Sequence, residues 1–205
     1  MMKTHLLKKM VVMMMMATLS LVSFADNIPG QPQYEKGVKL YQGYGVGQNF
    51  AKAVKMWKKA AQKGHVKAKF SLGYCYANGV GVEKDIKEAM EWYLEAAEQG
   101  DADAQYNLGL LYLSGNLDVE KITKAIEMFE KAANQGHVRA MNNLAYSYSL
   151  MSKDWHDFSP ITKWLKAAAD KGYWKAKKAY DEWAQEMEEE QRAAQERRRQ
   201  RMRFR

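Results

Sequence analysis

The sequence predicts an all-α protein: an α-solenoid of about four 36-residue helix-turn-helix repeats followed by a C-terminal capping helix. Three observations carry that expectation. Ala68, Ala104, Ala140 and Ala176 are spaced by 36 residues, and so are Gly64, Gly100, Gly136 and Gly172. Paired alanines at 60–61, 96–97, 132–133 and 168–169 keep the same phase, as do Leu72, Leu108 and Leu144 and then Tyr76, Tyr112 and Tyr148. Several columns sharing one period in this range indicate stacked supersecondary units. Within each period, apolar residues recur at helical spacing and glycines interrupt them. Composition agrees: 47% hydrophobic and 27% charged residues with three prolines describe a folded chain with little room for linkers.

Taken in order, residues 1–25 come first. Lys3, Lys8 and Lys9 precede an apolar run from Met10 to Phe24, and Ser23 and Ala25 supply small residues before Asp26. This is the layout of a cleavable secretory signal, with an apolar core shorter than the roughly 20 residues a membrane span needs. The mature protein is expected to begin at Asp26 and to be exported, to the periplasm or beyond the cell. An uncleaved anchor is the competing reading. Residues 26–31 form a short lead-in, and the array is expected over 32–175, in units 32–67, 68–103, 104–139 and 140–175.

Each unit reads as two helices. In the second, Ala68, Leu72, Cys75 and Tyr76 mark helix A, and the segment 78–82, with Gly79 and Gly81, breaks it. Helix B restarts near Asp85 with Ile86, Ala89, Met90, Trp92, Tyr93, Ala96 and Ala97, and Gly100 ends it. Gly73, Gly109 and the paired alanines allow close helix approach, while Trp92, Tyr93, Phe129 and Trp164 fill the space between. One hairpin cannot bury its own apolar face, so neighbours must create the core. The first unit places Lys36 in the leucine column. The fourth has Ala145 in the glycine column and an irregular segment, 151–159, in place of the glycine loop, and Ser159-Pro160 then starts its helix B. Ala176, Ala179, Tyr180, Trp183, Ala184 and Met187 continue the stripe into a capping helix, 176–190.

Several stretches resemble the Sel-one-like repeat family, relatives of tetratricopeptide arrays: 104–112 (AQYNLGLLY), 131–137 (KAANQGH), 72–82 (LGYCYANGVGV) and 92–100 (WYLEAAEQG). The resemblance covers roughly 32–175. It implies an α-solenoid that binds other proteins, as an adaptor in envelope complexes, a factor contacting host cells, or an immunity protein occluding a toxic effector. It also implies a rival, the β-lactamase-like hydrolysis attributed to cysteine-rich members. Those members pair two cysteines within each repeat; this chain has Cys75 alone, and no Ser-x-x-Lys motif of that chemistry. Cys75 reads as a buried small apolar residue rather than a reactive thiol.

The formal charge of +8 sits at the ends. Residues 1–25 hold three lysines and no acid, and 191–205 hold seven arginines and one glutamate, which leaves 26–190 at −1. The array itself is uneven, with eight lysines against Glu35 in 32–67 and three lysines against eight acids in 68–103. Lys52, Lys55, Lys58, Lys59 and Lys63 on one helix B and Glu88, Glu91, Glu95 and Glu98 on the next read as complementary neighbours that fix stacking order. The tail arginines Arg197, Arg198, Arg199, Arg201, Arg203 and Arg205 read either as a solvated helical extension or as a contact for an anionic membrane or envelope polymer or an acidic protein. Export argues against nucleic acid.

The residues offer no catalytic constellation. His65 and His137 share a repeat column with Asp101 and Tyr173, which points to a tolerant turn position rather than a metal ligand, and no second histidine or cysteine stands at ligand spacing. The glycines at 43–47 and 79–81 lie between helices without a preceding strand, so they are not a dinucleotide motif. Neither cofactor nor metal is expected, and the chain is read as a non-catalytic binder. Helical phase puts Ser71, Tyr74 and Asn78, then Asn107, Leu111 and Ser114, then Asn143, Tyr146 and Ser147 on the helix-A face, a polar and aromatic lining for a peptide or extended protein segment. Trp155, His156 and Phe158, in the irregular segment without repeat counterpart, complete the candidate contacts.

Overall fold

The computed structural model describes residues 28–151 and 159–203. All nine elements among the described residues are α-helices, arranged as the successive hairpins expected from the period. They fall into two compact units divided after Gln99. The expected signal at 1–25 lies outside the described residues. None of the helices among them is long and apolar enough to cross a membrane.

The first unit holds α1 (Gln31–Gln42), α2 (Phe50–Ala61), α3 (Val66–Asn78) and α4 (Ile86–Glu98). Local chemistry sets their ends. Gly43 and Gly79 stop α1 and α3 in the left-handed conformation, each returning its N–H to a carbonyl of the last turn. Asn49 and Asp85 start α2 and α4 by accepting from first-turn N–H groups. The core gathers Ala53, Val54, Trp57, Ala60 and Ala61 of α2 with Ala68, Leu72 and Cys75 of α3, and Trp92 of α4 packs on it. Gly81 has a steric duty as well as a positive φ: a Cβ there would stand 2.5 Å from the carbonyl carbon of Phe50. Only glycine lets this loop lie on the start of α2. Lys36 is exposed where Leu72 is buried.

The second unit holds α5 (Ala102–Tyr112), α6 (Val119–Asn134), α7 (Val138–Met151), α8 (Ser159–Asp170) and α9 (Trp174–Arg203). Asp101 and Asp118 cap α5 and α6. The core runs through Ala125, Phe129, Ala132 and Ala133 of α6, Ala140, Met141 and Leu144 of α7, Ala168 of α8 and Ala176 of α9, with Tyr106 and Trp164 at its edge. Helix α9 is longer than the stripe that docks it. Beyond Met187 its exposed side chains are polar and charged apart from Met202, with a Glu188–Arg192 pair at 3.2 Å, and the helix continues to Arg203.

One packing rule repeats. Gly37 lies against Trp57, Gly73 against Tyr93 and Gly109 against Phe129; a Cβ at any of the three would approach ring atoms to 2.4–2.6 Å. The aromatic partner stands 20 positions after its glycine each time. In the fourth repeat the same offset joins Ala145 to Leu165, on the packed helices α7 and α8. The departure from glycine thus coincides with loss of the ring that requires it.

Candidate functional site

The helix-A face is built one helix at a time. In the first unit, α1 and α3 supply it. Tyr34, Val38, Tyr41 and Gln42 of α1, Trp57 of α2 and Phe70, Ser71 and Tyr74 of α3 line a half-open cleft of about 240 Å³. Trp57 forms part of its floor, held by its indole N–H, which donates to the Tyr34 carbonyl at 3.2 Å, and by Gly37 beneath its ring. Tyr41 leans on Trp57, with ring centroids 5.4 Å apart, and meets Phe50 edge-on at 5.1 Å. Tyr74 remains 42% exposed. The Lys67 ammonium lies 5.8 Å from the centre of the Phe70 ring. Burial, and then the neighbouring Tyr74, hold the Tyr41 hydroxyl above its usual range, so it stays a protonated donor.

Behind this cleft His65 acts as a fixing pin. Its Nδ1 accepts the Ala68 N–H at 3.2 Å, which caps α3. The ring proton therefore sits on Nε2, which donates to Gln31 Oε1 at 2.8 Å, and Gln31 in turn donates to Glu35. The imidazole stacks on Tyr34 with centroids 4.4 Å apart. His137 repeats the arrangement in the second unit: Nδ1 accepts from Ala140 N–H at 3.1 Å, the ring stacks on Tyr106 at 4.5 Å, and Nε2 lies 3.5 Å from Asp103. The column that reads in sequence as a tolerant turn is a helix N-cap. Asp101 fills it by the same chemistry, accepting from Ala104 N–H.

The predicted polar residues are tied to their own helices. Ser71 donates to the Lys67 carbonyl, Asn78 to Tyr74, Asn107 to Asp103 and Ser114 to Leu111, all at 2.7–2.9 Å. What these groups keep free is chiefly acceptor capacity, suited to a partner's N–H groups. Two residues need correction. Ser147 is fully buried and donates to the Asn143 carbonyl; Leu111 is half-buried. Both share the column of buried Cys75, one residue out of phase with the exposed column. That column is Tyr74, Leu110 and Tyr146, which are 42%, 37% and 54% exposed on their respective helices. Leu110 was missed, although adding 36 to Tyr74 finds it.

A second cleft, of about 400 Å³, lies in the second unit between Glu130 and Asn134 of α6, Tyr148 of α7 and Ser159, Pro160, Lys163 and Trp164 of α8. The Tyr148 hydroxyl donates to Glu130 at 2.6 Å; burial first, and this carboxylate second, raise its pKa to about 12. Trp155, His156 and Phe158 lie outside the described residues. Of the tail, Arg197 and Arg199 are exposed on α9, Arg198, Arg201 and Arg203 belong to the same helix, and Arg205 lies outside the described residues. The lysines of α2 and glutamates of α4 do not pair as expected. Lys58 sits over the Tyr76 ring at 5.2 Å, and Glu95 takes Lys69 at 2.7 Å. Burial raises the Cys75 thiol to about 11. Among the described residues no cluster of three histidine, cysteine or acidic side chains could hold a metal ion.

These hairpins can be set beside known proteins. The Sel1 repeat matches residues 33–65, 66–101, 102–137, 138–154 and 162–173. Among solved structures, a Sel1 repeat protein from Oxalobacter formigenes is 33% identical with a TM-score of 0.62, over 74% of this chain and 60% of that one. A protective antigen present in uropathogenic Escherichia coli strains, displaying an SLR fold, is 25% identical with a TM-score of 0.66, over 74% of this chain and 32% of that one. The chain therefore spans about a third of one relative and under two thirds of the other. Comparison with curated proteins finds no match. Matched by the repeat over most of residues 33–173, and built of the same hairpins, the chain belongs to the Sel1 repeat family.

Proposed function

We propose that this protein is a non-catalytic binder of other proteins that receives an extended segment on the exposed side of the A-helices of its first unit, anchored in the cleft there. One observation carries the reading: five aromatic side chains and Val38 surround an open space of about 240 Å³ on a rigid helical frame, with the Gln42 and Ser71 side chains at its wall. Binding energy at such surfaces concentrates in a few aromatic anchors with polar groups around them. The cleft therefore fits one large apolar side chain of the partner, with the flanking backbone turned to the acceptors of Ser71 and Asn78.

Export supports a partner outside the cytoplasm; the basic, apolar and small-residue order of 1–25 is the ground for it. Detection of a mature chain starting at Asp26 in an extracytoplasmic fraction is the expected result.

Selection of displayed random peptides against the full chain tests the binding reading. Enriched peptides should share a large apolar residue, and a Tyr74→Ala variant of unchanged helicity should weaken them at least tenfold. Peptides without a common anchor, or binding indifferent to Tyr74 and Tyr41 substitution, would refute it.

A further inference from the structure

Between Glu35 and Glu83 the chain holds nine lysines and no acidic residue. Lys52, Lys55, Lys59 and Lys63 are exposed along and just past α2, and no ion pair is found for any of them among the described residues. Lys52, Lys55 and Lys59 form a row about 10 Å long on one side of the helix, and Lys63 stands just beyond its end. Helix α4 carries the reverse. One period after Lys52, Lys55 and Lys59 stand Glu88, Glu91 and Glu95, with Glu98 one turn further. Glu88 accepts from the Trp92 indole at 2.9 Å and Glu95 pairs with Lys69, while Glu91 and Glu98 are exposed and have no ion pair among the described residues. Helices α2 and α4 both pack on α3 within the first unit. This unit therefore presents a positive row and a negative row whose charges occupy equivalent positions.

That pairing selects the partner. A uniform polyanion is drawn to α2 and repelled by α4, and a uniform polycation meets the opposite. A surface that satisfies both rows carries the same two rows in exchanged order. A second copy of this chain, turned by 180° about an axis parallel to the two helices, offers that surface with the heights preserved. We propose that two copies associate through this surface, α2 of each against α4 of the other, so that Lys55 comes level with the partner's Glu91 and reciprocally. Such a contact is isologous and closed, so it stops at a dimer. It uses the B-helices and leaves the cleft between α1 and α3 open.

Sedimentation of the full chain in low and high salt tests it. Since the screening length falls from about 10 Å at 0.1 M to about 3 Å at 1 M, the dimer should form in low salt and weaken more than tenfold in high salt. A Lys52→Glu, Lys55→Glu, Lys59→Glu variant should be monomeric, and so should a Glu91→Lys, Glu98→Lys variant. Mixing the two should restore a heterodimer, which a misfolded variant would not. A chain that stays monomeric in low salt, including one that instead binds anionic vesicles through the same lysines, overturns the proposal. So does a dimer that survives both charge reversals.

Discussion

Gly109→Ala is the most telling single change. An added methyl would meet Phe129 Cε1 at 2.6 Å and Cδ1 at 2.8 Å. The ring has no slack: it is fully buried among α6 and α7 core residues, with Tyr106 at its side at 5.9 Å. Overpacking of this kind costs about 1–3 kcal/mol, and the tight contact argues for the upper half of that range. Alanine in mid-helix returns about 1 kcal/mol relative to glycine. The net loss should be about 1–2 kcal/mol, or a fall of roughly 2–8 °C in Tm for a chain of this size. Phe129→Leu alone should lose about 1–2 kcal/mol by leaving space. The double variant recreates the Ala145 and Leu165 combination of the fourth repeat, and its loss should be smaller than the sum by about 1–2 kcal/mol. Urea unfolding of the four chains as a double-mutant cycle measures this coupling. Additive losses, or a Gly109→Ala chain as stable as the parent, would refute the steric reading.

Other consequences follow from the same packing. Burial lowers the His65 pKa, so above pH 6.5 both folded and unfolded chains hold it neutral and its cap is intact. As pH falls below 6.5 the unfolded chain takes the proton first and stability declines; a urea midpoint that drops from pH 7.5 to pH 5, less steeply in His65→Asn, is the expected result. Replacing His65 by alanine at pH 7.5 should cost about 1 kcal/mol through the lost cap, read from the same midpoint. Cys75, fully buried and with its thiol raised to about 11, should react with a thiol reagent at pH 8 only as fast as the chain opens. Leu144→Ala should lose about 2–5 kcal/mol in thermal unfolding, whereas Tyr146→Ala on the exposed face should stay within about 0.5 kcal/mol.

The period made the fold legible because packing uses the same small positions in every repeat. Ala68, Ala104, Ala140 and Ala176 are all fully buried, and a column that tolerates nothing larger shows itself by repetition alone. The face was harder. At 100° per residue a one-position slip turns a side chain from solvent to core, and that slip put Ser147 and Leu111 in place of Leu110. The N-cap column was hidden for another reason. Histidine and aspartate look unrelated until Nδ1 of His65 and Oδ1 of Asp101 are seen accepting the same N–H three residues on. The expected pairing of lysine and glutamate rows failed because Glu88 and Glu95 have nearer partners in Trp92 and Lys69.

The two kinds of column explain how a repetitive chain can bind selectively. Where a side chain sits under an aromatic ring or between helices, each repeat repeats the choice: glycine under Trp57, Tyr93 and Phe129, alanine at the helix crossings. Where it faces out, each repeat chooses differently. The column that holds Tyr74 reads Val38, Tyr74, Leu110, Tyr146, and the one a turn before it reads Glu35, Ser71, Asn107, Asn143. Surface changes at such positions are nearly neutral for stability, so these columns can vary while the core stays as it is. The aromatic cleft arises where the two kinds meet. Gly37 lets Trp57 lie against α1, His65 stacks on Tyr34 and caps α3, and Tyr74, which neither packing nor capping requires, closes the wall. A residue that the frame can spare, standing beside residues that the frame holds rigid, is where a partner's side chain can be read.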